Sequence, residues 1–571
     1  MKKAKTIQAS YEWRFRIVLA GFVVLALAIA CRSVFLHVIN QDFLIHEGDM
    51  RTLRVQEITA HRGIIKDRRQ KPLAVSSPVA SVWIKPKDMM ENRRHWEQLA
   101  KLCNLPYKHL KDIVLGNQNK SFVYLKRHIS PQQAEKIKDL DIPGVNTIKE
   151  YRRFYPSGEI AAHVVGMTNI DDVGQEGLEL TYTQSLQGLP GKKRVLKDRK
   201  GRVIEDLDII KTAEPGQDLV LSLDLRAQHI AYRELLAAVR AHKADSGSAV
   251  VLDVETGEVL ALVNQPSFNP NNRNSIKRGS LRNRALTDVF EPGSTMKPFT
   301  VAAAMETGKY KARTPVDTRP GYLKVGRKLI KDHRNYGLIN VEKVLTKSSN
   351  VGSTKLALSL EPGTLQEMLN RLGLGASTGS GYPGESSGHL PDREKWRPIE
   401  LATLSYGYGL SVTTLQLAQA YAVLASGGIK KPVSLTKIGH APEGERVISE
   451  KISRQIIAML ETVISEEGTG SRAKISGYRV AGKTGTVHKI TKGSYADDQY
   501  ISLFAGMAPA TNPKIVTVVM INNPRGEEYF GGLVSAPVFA KITSGVLRLL
   551  DVMPDDVPEK MQSIVALSEQ V

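Results

Sequence analysis

Cysteine is nearly absent: Cys31 and Cys103 are the only two in 571 residues. Cys31 lies in an apolar stretch and Cys103 in a polar region far along the chain, so no intramolecular disulfide is expected and a disulfide framework is excluded. HExxH, CxxC and any other Cys/His cluster are missing, so no metal site is expected. GxxxxGK[ST] is missing too, which removes the support for nucleotide chemistry, and no cofactor is expected. Aromatic residues make up 6% of the chain. None of them interleaves with basic residues in a nucleic-acid-binding pattern, so nucleic acid is not an expected partner despite a net charge of +21. The positive charges are dispersed, as on a solvated basic surface or one drawn to an anionic wall or membrane. The 46 glycines and 27 prolines are spread out, which excludes fibrous and low-complexity classes.

A length of 571 residues with 42% apolar content is too long for one core and predicts two or three domains. One long hydrophobic run exists. Ile17 to Cys31 is uninterrupted, and after Arg32 and Ser33 the apolar character resumes at Val34, Phe35 and Leu36. Ile17 to Ile39 would span roughly 34 Å as a helix, enough to cross a bilayer. Lys2, Lys3, Lys5, Arg14 and Arg16 precede it against one acid, Glu12, so residues 1–16 are expected in the cytoplasm. Small residues occur between Ala26 and Arg32, but the apolar stretch continues past them, which argues for an uncleaved anchor over residues 17–39. Everything beyond residue 40 is then expected outside the cytoplasmic membrane. Arg32 and His37 are costly in a bilayer and are expected to snorkel outward or meet a membrane partner.

Residues 50–216 are rich in charge, with short strand-like and helix-like pieces. From about 217 the pattern predicts a compact α/β domain: a strand over Asp218–Leu223, a helix over Leu225–Val239, and a hairpin of Ser248–Leu252 and Glu258–Val263 turning at Glu255-Thr256-Gly257. Helices are predicted at Ser294–Glu306, Val341–Leu360, Thr414–Ala425 and Glu450–Ser465, and strands at Ile501–Gly506 and Lys514–Ile521. A sheet with helices on its faces is the natural packing. Pro554, Asp555, Asp556 and Pro558 predict a loose end after Asp551.

Ser294-Thr295-Met296-Lys297 fits SxxK, but so do the segments beginning at Ser434 and Ser471. SxN occurs at Ser267-Phe268-Asn269 and Ser348-Ser349-Asn350, and Lys483-Thr484-Gly485 is the one KTG. Order separates them. SxxK, then SxN, then KTG is the set carried by enzymes that β-lactams acylate, and only Ser294, Ser348 and Lys483 follow it. Context agrees. Glu291-Pro292-Gly293 makes a turn, and Ser294 opens an apolar helix in which Pro298 falls in the tolerated first turn. A serine there has its amide at the positive helix end, where a developing oxyanion is stabilised. Lys297 shares its face, and a desolvated lysine gives up its proton readily enough to act as base on the hydroxyl. Lys483-Thr484-Gly485-Thr486 follows a strand-like edge at Tyr478–Gly482. Gly485 would let a substrate backbone pair as an added strand, Thr484 and Thr486 would bond a terminal carboxylate, and Lys483 adds charge. The Thr486 amide is a second oxyanion donor candidate. Each motif alone is an ordinary helix cap, turn or surface charge; the ordered set is not.

With these residues in hand, the chain resembles the class B penicillin-binding proteins over nearly its whole length. Arg62-Gly63-Ile64-Ile65-Lys66-Asp67-Arg68, Arg152-Arg153-Phe154-Tyr155-Pro156-Ser157-Gly158 with Ala162-His163 and Gly166, and Gly174-Gln175-Glu176-Gly177-Leu178-Glu179 are similar to the family's non-catalytic pedestal, where turns and buried contacts explain most of them. Asp288–Gly293, Tyr406-Gly407-Tyr408-Gly409, Tyr529-Phe530-Gly531-Gly532 and Ser535–Phe539 are similar to the division-specific branch of Gram-negative bacteria, as is Asn350, where elongation-specific relatives carry Asp. Arg68-Arg69-Gln70 departs from an Arg-Asn-Gly-like turn, which bears only on that turn.

The resemblance implies a multidomain fold: a single transmembrane helix, an elongated α+β pedestal (dimerisation-like) domain over 40–216, and an α/β transpeptidase domain over 217–550, with an antiparallel sheet, helices on both faces and a helical subdomain. A loose tail over 551–571 follows. It implies a peptidoglycan D,D-transpeptidase of the division septum in the inner membrane, with its catalytic domain in the periplasm. Ser294 would attack the penultimate carbonyl of stem peptides ending in D-Ala-D-Ala, with Lys297 as base. Ser348 and Asn350 would relay protons and position Lys297 and the substrate amide. A neighbouring amine, of meso-diaminopimelate, would take the acyl group. β-Lactams would acylate Ser294 and leave slowly. A polytopic glycan polymerase and other division proteins are the implied partners. An elongation-type enzyme shares this chemistry with a different cellular partner. A β-lactamase needs neither anchor nor pedestal, and no clear deacylating Glu segment separates the second and third motifs. A β-lactam sensor needs a cytoplasmic output domain. A non-catalytic scaffold would not need Ser294, Lys297 and Lys483 intact.

Overall fold

The structure is a computed structural model that describes residues 5–198, 203–393, 395–491 and 494–556. The chain forms two compact units, one of residues 1–61 with 188–215, the other of 62–187 with 216–571.

In the first unit a helix runs over Lys5–Val34 and continues through one wide turn at Phe35–Ile39; a second helix covers Gln41–Thr52. Glu12–Ile39 is long and apolar enough to cross a membrane, and none of its most apolar window is covered by protein. A long exposed apolar helix of that kind has the character of a membrane anchor. A three-stranded antiparallel sheet completes this unit, with Gly191–Lys197 between Leu53–Ile58 and Val203–Lys211.

In the second unit, residues 62–187 build an α+β body. The long strand Pro72–Ile84 pairs on either side with Val123–Ile129 and Val145–Phe154. One face of this sheet buries Ala80, Val82 and Ile84 against helices carrying Trp96, Leu99, Leu110 and Ile137. The three family-like stretches of this body converge on one carboxylate. Glu179, fully buried, takes Arg62 Nε at 2.7 Å and Arg153 Nε at 2.6 Å, while Arg62 Nη2 donates to the Glu179 carbonyl at 2.7 Å. The departing turn at Arg68-Arg69-Gln70 closes on Asp67, whose side chain accepts the amides of Arg69 and Lys71 at 2.8 Å each. Gln70 sits there at φ +65°, a conformation glycine adopts without cost.

Residues after 216 form a five-stranded antiparallel sheet of β1 (Ser246–Asp253), β2 (Val259–Gln265), β3 (Ala481–Thr491), β4 (Ser494–Ala508) and β5 (Ile515–Asn522). Their spatial order is β2-β1-β5-β4-β3, so β3 is an edge. The helices that matter are α1 (Leu225–Ala241), α2 (Lys297–Glu306), α3 (Val341–Thr346), α4 (Asn350–Leu358), α5 (Thr414–Ala425), α6 (Glu450–Glu461) and α7 (Gly531–Leu549). Alternation along β1 places Ala249 and Val251 with α1 and α7, and Val250 and Leu252 with α5 and the helical block. Both faces are buried, which is why these strands read as continuous apolar runs. Among the described residues α7 also meets the length and hydropathy of a membrane span, but more than half of it is buried in this core.

Four elements differ from expectation. The strand over Asp218–Leu223 is reduced to Leu219–Val220, paired with Ile65-Lys66. Ser294 lies in a 3-10 turn, Gly293–Met296, and the α-helix starts at Lys297. The single helix over Val341–Leu360 is two, because Ser348 takes φ +57° and Ser349 caps a new helix by accepting the Gly352 amide. KTG does not follow the strand but lies inside β3. Of the expected loose tail, residues 551–556 are held: Tyr478 Oη donates to the Val552 carbonyl and Asp555 accepts the Arg479 amide. Residues 557–571 lie outside the described residues.

Candidate active site

The turn carrying Ser294 is wedged between a side chain of β3 and the backbone at Gly407. Gly293 has φ +54°, and a Cβ there would lie 2.3 Å from Val487 Cγ1 of β3. On the other side the Gly293 amide donates to the Gly407 carbonyl at 3.0 Å, and a Cβ on Gly407 would lie 2.1 Å from the Gly293 carbonyl oxygen. Tyr421, buried in α5, donates to the Thr295 carbonyl at 2.8 Å. Gly485 packs against the same turn, since a Cβ there would come 3.1 Å from Pro292 O and from Thr295 Cγ2. The close approach that Gly485 permits is therefore to the turn that carries Ser294.

Lys297, at the start of α2, and Lys483, in β3, are both fully buried. Ser348 Oγ lies 3.2 Å from Lys297 Nζ and 3.0 Å from Lys483 Nζ. Lys297 Nζ also donates to the Ser348 carbonyl at 2.5 Å and to Asn350 Oδ1 at 2.8 Å. The helix break at Ser348 is what makes this possible: it turns one hydroxyl and one carbonyl inward in place of continuing the helix. Burial pushes the Lys483 ammonium down to about 7. Burial, then the nearby charge of Lys483, holds Lys297 well below the usual lysine range, against the pull of Asp332. Two amines sharing one hydroxyl in a dry site do not both stay charged, so a neutral amine is present near neutral pH.

Lys483 and Gly485 alternate along β3 with Thr484 and Thr486. Thr484 Oγ1 bonds Thr469 Oγ1 at 2.8 Å, and Thr486 Oγ1 accepts the Gly531 amide at 2.9 Å while keeping its own proton to give. The structure thus brings Ser294, Lys297, Ser348, Asn350 and Lys483–Thr486 to one place. The competing motifs serve elsewhere. Ser267 donates to the Glu159 carbonyl, Ser434 to the Thr436 carbonyl, and Ser471 opens a short turn.

Sequence reasoning missed Asp332. It accepts Ser349 Oγ at 2.6 Å and the Asn350 and Val351 amides at 2.5 and 3.0 Å. Nothing in Lys331-Asp332-His333 distinguishes it from a surface turn. It also missed the use made of Glu291, whose Oε1 accepts the Gly409 amide at 2.8 Å and Tyr495 Oη at 3.1 Å. The aromatic run His488, Tyr500, Tyr529 and Phe530 forms stacked and tilted rings near Gly531.

Two family models match the chain: the penicillin-binding protein transpeptidase domain over residues 247–544 and the penicillin-binding protein dimerisation domain over residues 57–221. The chain belongs to the class B penicillin-binding proteins. Across 550 residues, 95% of this penicillin-binding protein and 93% of the relative, it is 45% identical to the peptidoglycan D,D-transpeptidase FtsI of Escherichia coli. It is 43% identical over 548 residues to a probable peptidoglycan D,D-transpeptidase, PbpC, of Pseudomonas aeruginosa, covering 96% and 97% of the two chains. Among solved structures, the unliganded transpeptidase domain of Burkholderia pseudomallei penicillin-binding protein 3 is 43% identical with TM-score 0.55, covering 59% of this chain and 98% of that one.

Proposed function

We propose that this penicillin-binding protein is a serine D,D-transpeptidase that cross-links peptidoglycan stem peptides ending in D-Ala-D-Ala at the division septum. The observation that carries the reading is the Ser348 hydroxyl within hydrogen-bond reach of two buried lysines, one of them three residues beyond Ser294.

Ser294 Oγ attacks the penultimate D-alanine carbonyl, and neutral Lys297 takes its proton. The backbone amides of Ser294 and Thr486 receive the oxyanion. Ser348, bonded to both lysines, passes a proton toward the departing D-alanine amine, and Asn350 holds Lys297 and the substrate amide. Lys483, with the hydroxyls of Thr484 and Thr486, holds the terminal carboxylate. The amine of a second stem then takes the acyl group from Ser294, and Lys297 receives the amine's proton and returns it to the departing Ser294 Oγ, which restores the hydroxyl and the neutral lysine. A β-lactam follows the first half of this path and stalls there.

The apolar helix over Glu12–Ile39 supports a single membrane anchor with the catalytic domain on the periplasmic side. The sequence likeness to FtsI supports a place among division proteins, with a polytopic glycan polymerase as partner. Intact-protein mass spectrometry of the detergent-solubilised chain, with and without a penicillin, tests the chemistry. A stable gain of one drug mass in the wild type and none in Ser294→Ala is expected. An unlabelled wild type that destroys the drug would make it a β-lactamase, and one that does neither would leave the scaffold reading.

A further inference from the structure

The segment Ser348–Asn350 does not hold its own shape. Ser348 has φ +57°, which serine adopts at a cost that surrounding contacts must offset. Ser348 itself bonds Lys297 and Lys483, and the three residues after it are tied down by Asp332, outside all three motifs. Asp332 directly follows the strand pair Tyr322–Val325 and Lys328–Lys331, and its own amide is tied to the Gly321 carbonyl at 3.0 Å. Both of its carboxylate oxygens are used. Oδ2 accepts Ser349 Oγ at 2.6 Å, and Oδ1 accepts the Asn350 and Val351 amides at 2.5 and 3.0 Å. A carboxylate on the first amides of α4 sits at the favourable end of the helix. The preceding carbonyl, of Lys331, accepts Asn350 Nδ2 at 3.1 Å. That bond decides which way the Asn350 amide points, so that Oδ1 faces Lys297 Nζ at 2.8 Å.

We propose that Asp332 is a positioning residue for the transfer reaction, holding Ser348 and Asn350 against Lys297 through the first turn of α4. The inference rests on the reading of Ser294 as nucleophile and Lys297 as its base. Asp332 touches neither, and it acts in two ways. It fixes the loop geometry, and it is the negative charge that counters Lys483 and burial at Lys297. The charged groups acting on Lys297 are thus Lys483, which disfavours its proton, and Asp332, which favours it. Without the Asp332 charge Lys297 loses its proton at lower pH. The base must be neutral, so the acid limb of the acylation profile moves to lower pH. A residue that merely kept the fold intact would lower the rate without moving the limb.

The test is the rate of acylation by a fluorescent penicillin as a function of pH, on the full chain in detergent, for wild type, Asp332→Asn and Ser349→Ala. Asn at 332 keeps one oxygen for the two amides but turns a donor toward Ser349 Oγ. A plateau at least tenfold lower with the acid limb shifted to lower pH is expected for Asp332→Asn. A smaller drop with an unmoved limb is expected for Ser349→Ala, which keeps the charge. Asp332→Asn with the wild-type rate, or with a lowered plateau and an unmoved limb, would overturn the proposal. If Asp332→Asn does not fold by thermal melting, Ser349→Ala decides: a wild-type rate there overturns it and a reduced one supports it. Failure of the underlying reading looks different, because the wild type itself would then go unlabelled.

Discussion

The amines of Lys297 and Lys483 meet at one oxygen, Ser348 Oγ, at 3.2 and 3.0 Å. The two lysines come from a helix and a strand far apart in sequence, and the hydroxyl between them sits on a residue that breaks a helix. In the proposed mechanism, the proton passing from base to leaving group runs through that oxygen.

Removal of the shared hydroxyl tests this directly. Ser348→Ala should keep the fold, since Ser349 still caps α4. The rate of acylation by a penicillin should fall roughly 10²–10⁴-fold, the usual scale for loss of a proton-transfer group. Stopped-flow fluorescence with a labelled penicillin gives the number, and a fall of less than threefold would remove Ser348 from the relay.

Lys483 is a stability cost. Its folded value, about 7, lies below that of an exposed lysine, so between about pH 7 and the ordinary lysine range the unfolded chain binds more protons than the folded one. Stability contributed by this site therefore rises with pH across that window, and below about 7 the burial cost is felt in full. Lys483→Met should accordingly stabilise the protein at pH 7 by about 2–4 kcal/mol, with the gain shrinking toward pH 10. Thermal melts of both proteins from pH 6 to 10 would show it; a gain that grows with pH contradicts the argument.

In the pedestal, Glu179 is the common partner of buried Arg62 and Arg153. Glu179→Gln takes from two buried guanidinium groups the carboxylate that bonds both and should destabilise by about 3–5 kcal/mol. Denaturant unfolding measures the loss. The acylation rate of the protein that remains folded should change little, because Ser294, Lys297, Ser348 and Lys483 are untouched.

The turn at Gln70 offers the opposite result. A non-glycine residue at φ +65° carries a penalty of about 1 kcal/mol, so Gln70→Gly should raise stability by up to that amount, less the extra chain entropy glycine brings to the unfolded state. A lowered melting temperature would mean that the Gln70 side chain makes contacts worth more than the strain.

Legibility followed locality. Thr414–Ala425 is found where periodicity put it, and β1, β2 and β5 where their apolar runs put them, because burial on both faces leaves a pattern in adjacent residues. The expected helix over Val341–Leu360 was broken by a left-handed Ser348. Ser348 bonds Lys297 and Lys483, and the residues after it bond Asp332, all from other parts of the chain, so no window of neighbouring residues could report it.

The sequence alone determined which chemistry the chain carries. Ser294, Lys297, Ser348, Asn350 and Lys483 stand in an order that separates them from the other SxxK and SxN matches, and a hydrophobic run of membrane-spanning length precedes them. Tertiary structure alone decided how those groups are placed. Lysine is strongly basic in water, and only the burial of Lys297 and Lys483 beside one hydroxyl makes a neutral amine available. Burial and the meeting of distant side chains are properties of the packed chain, which is why Asp332, decisive in that packing, left no mark in the sequence.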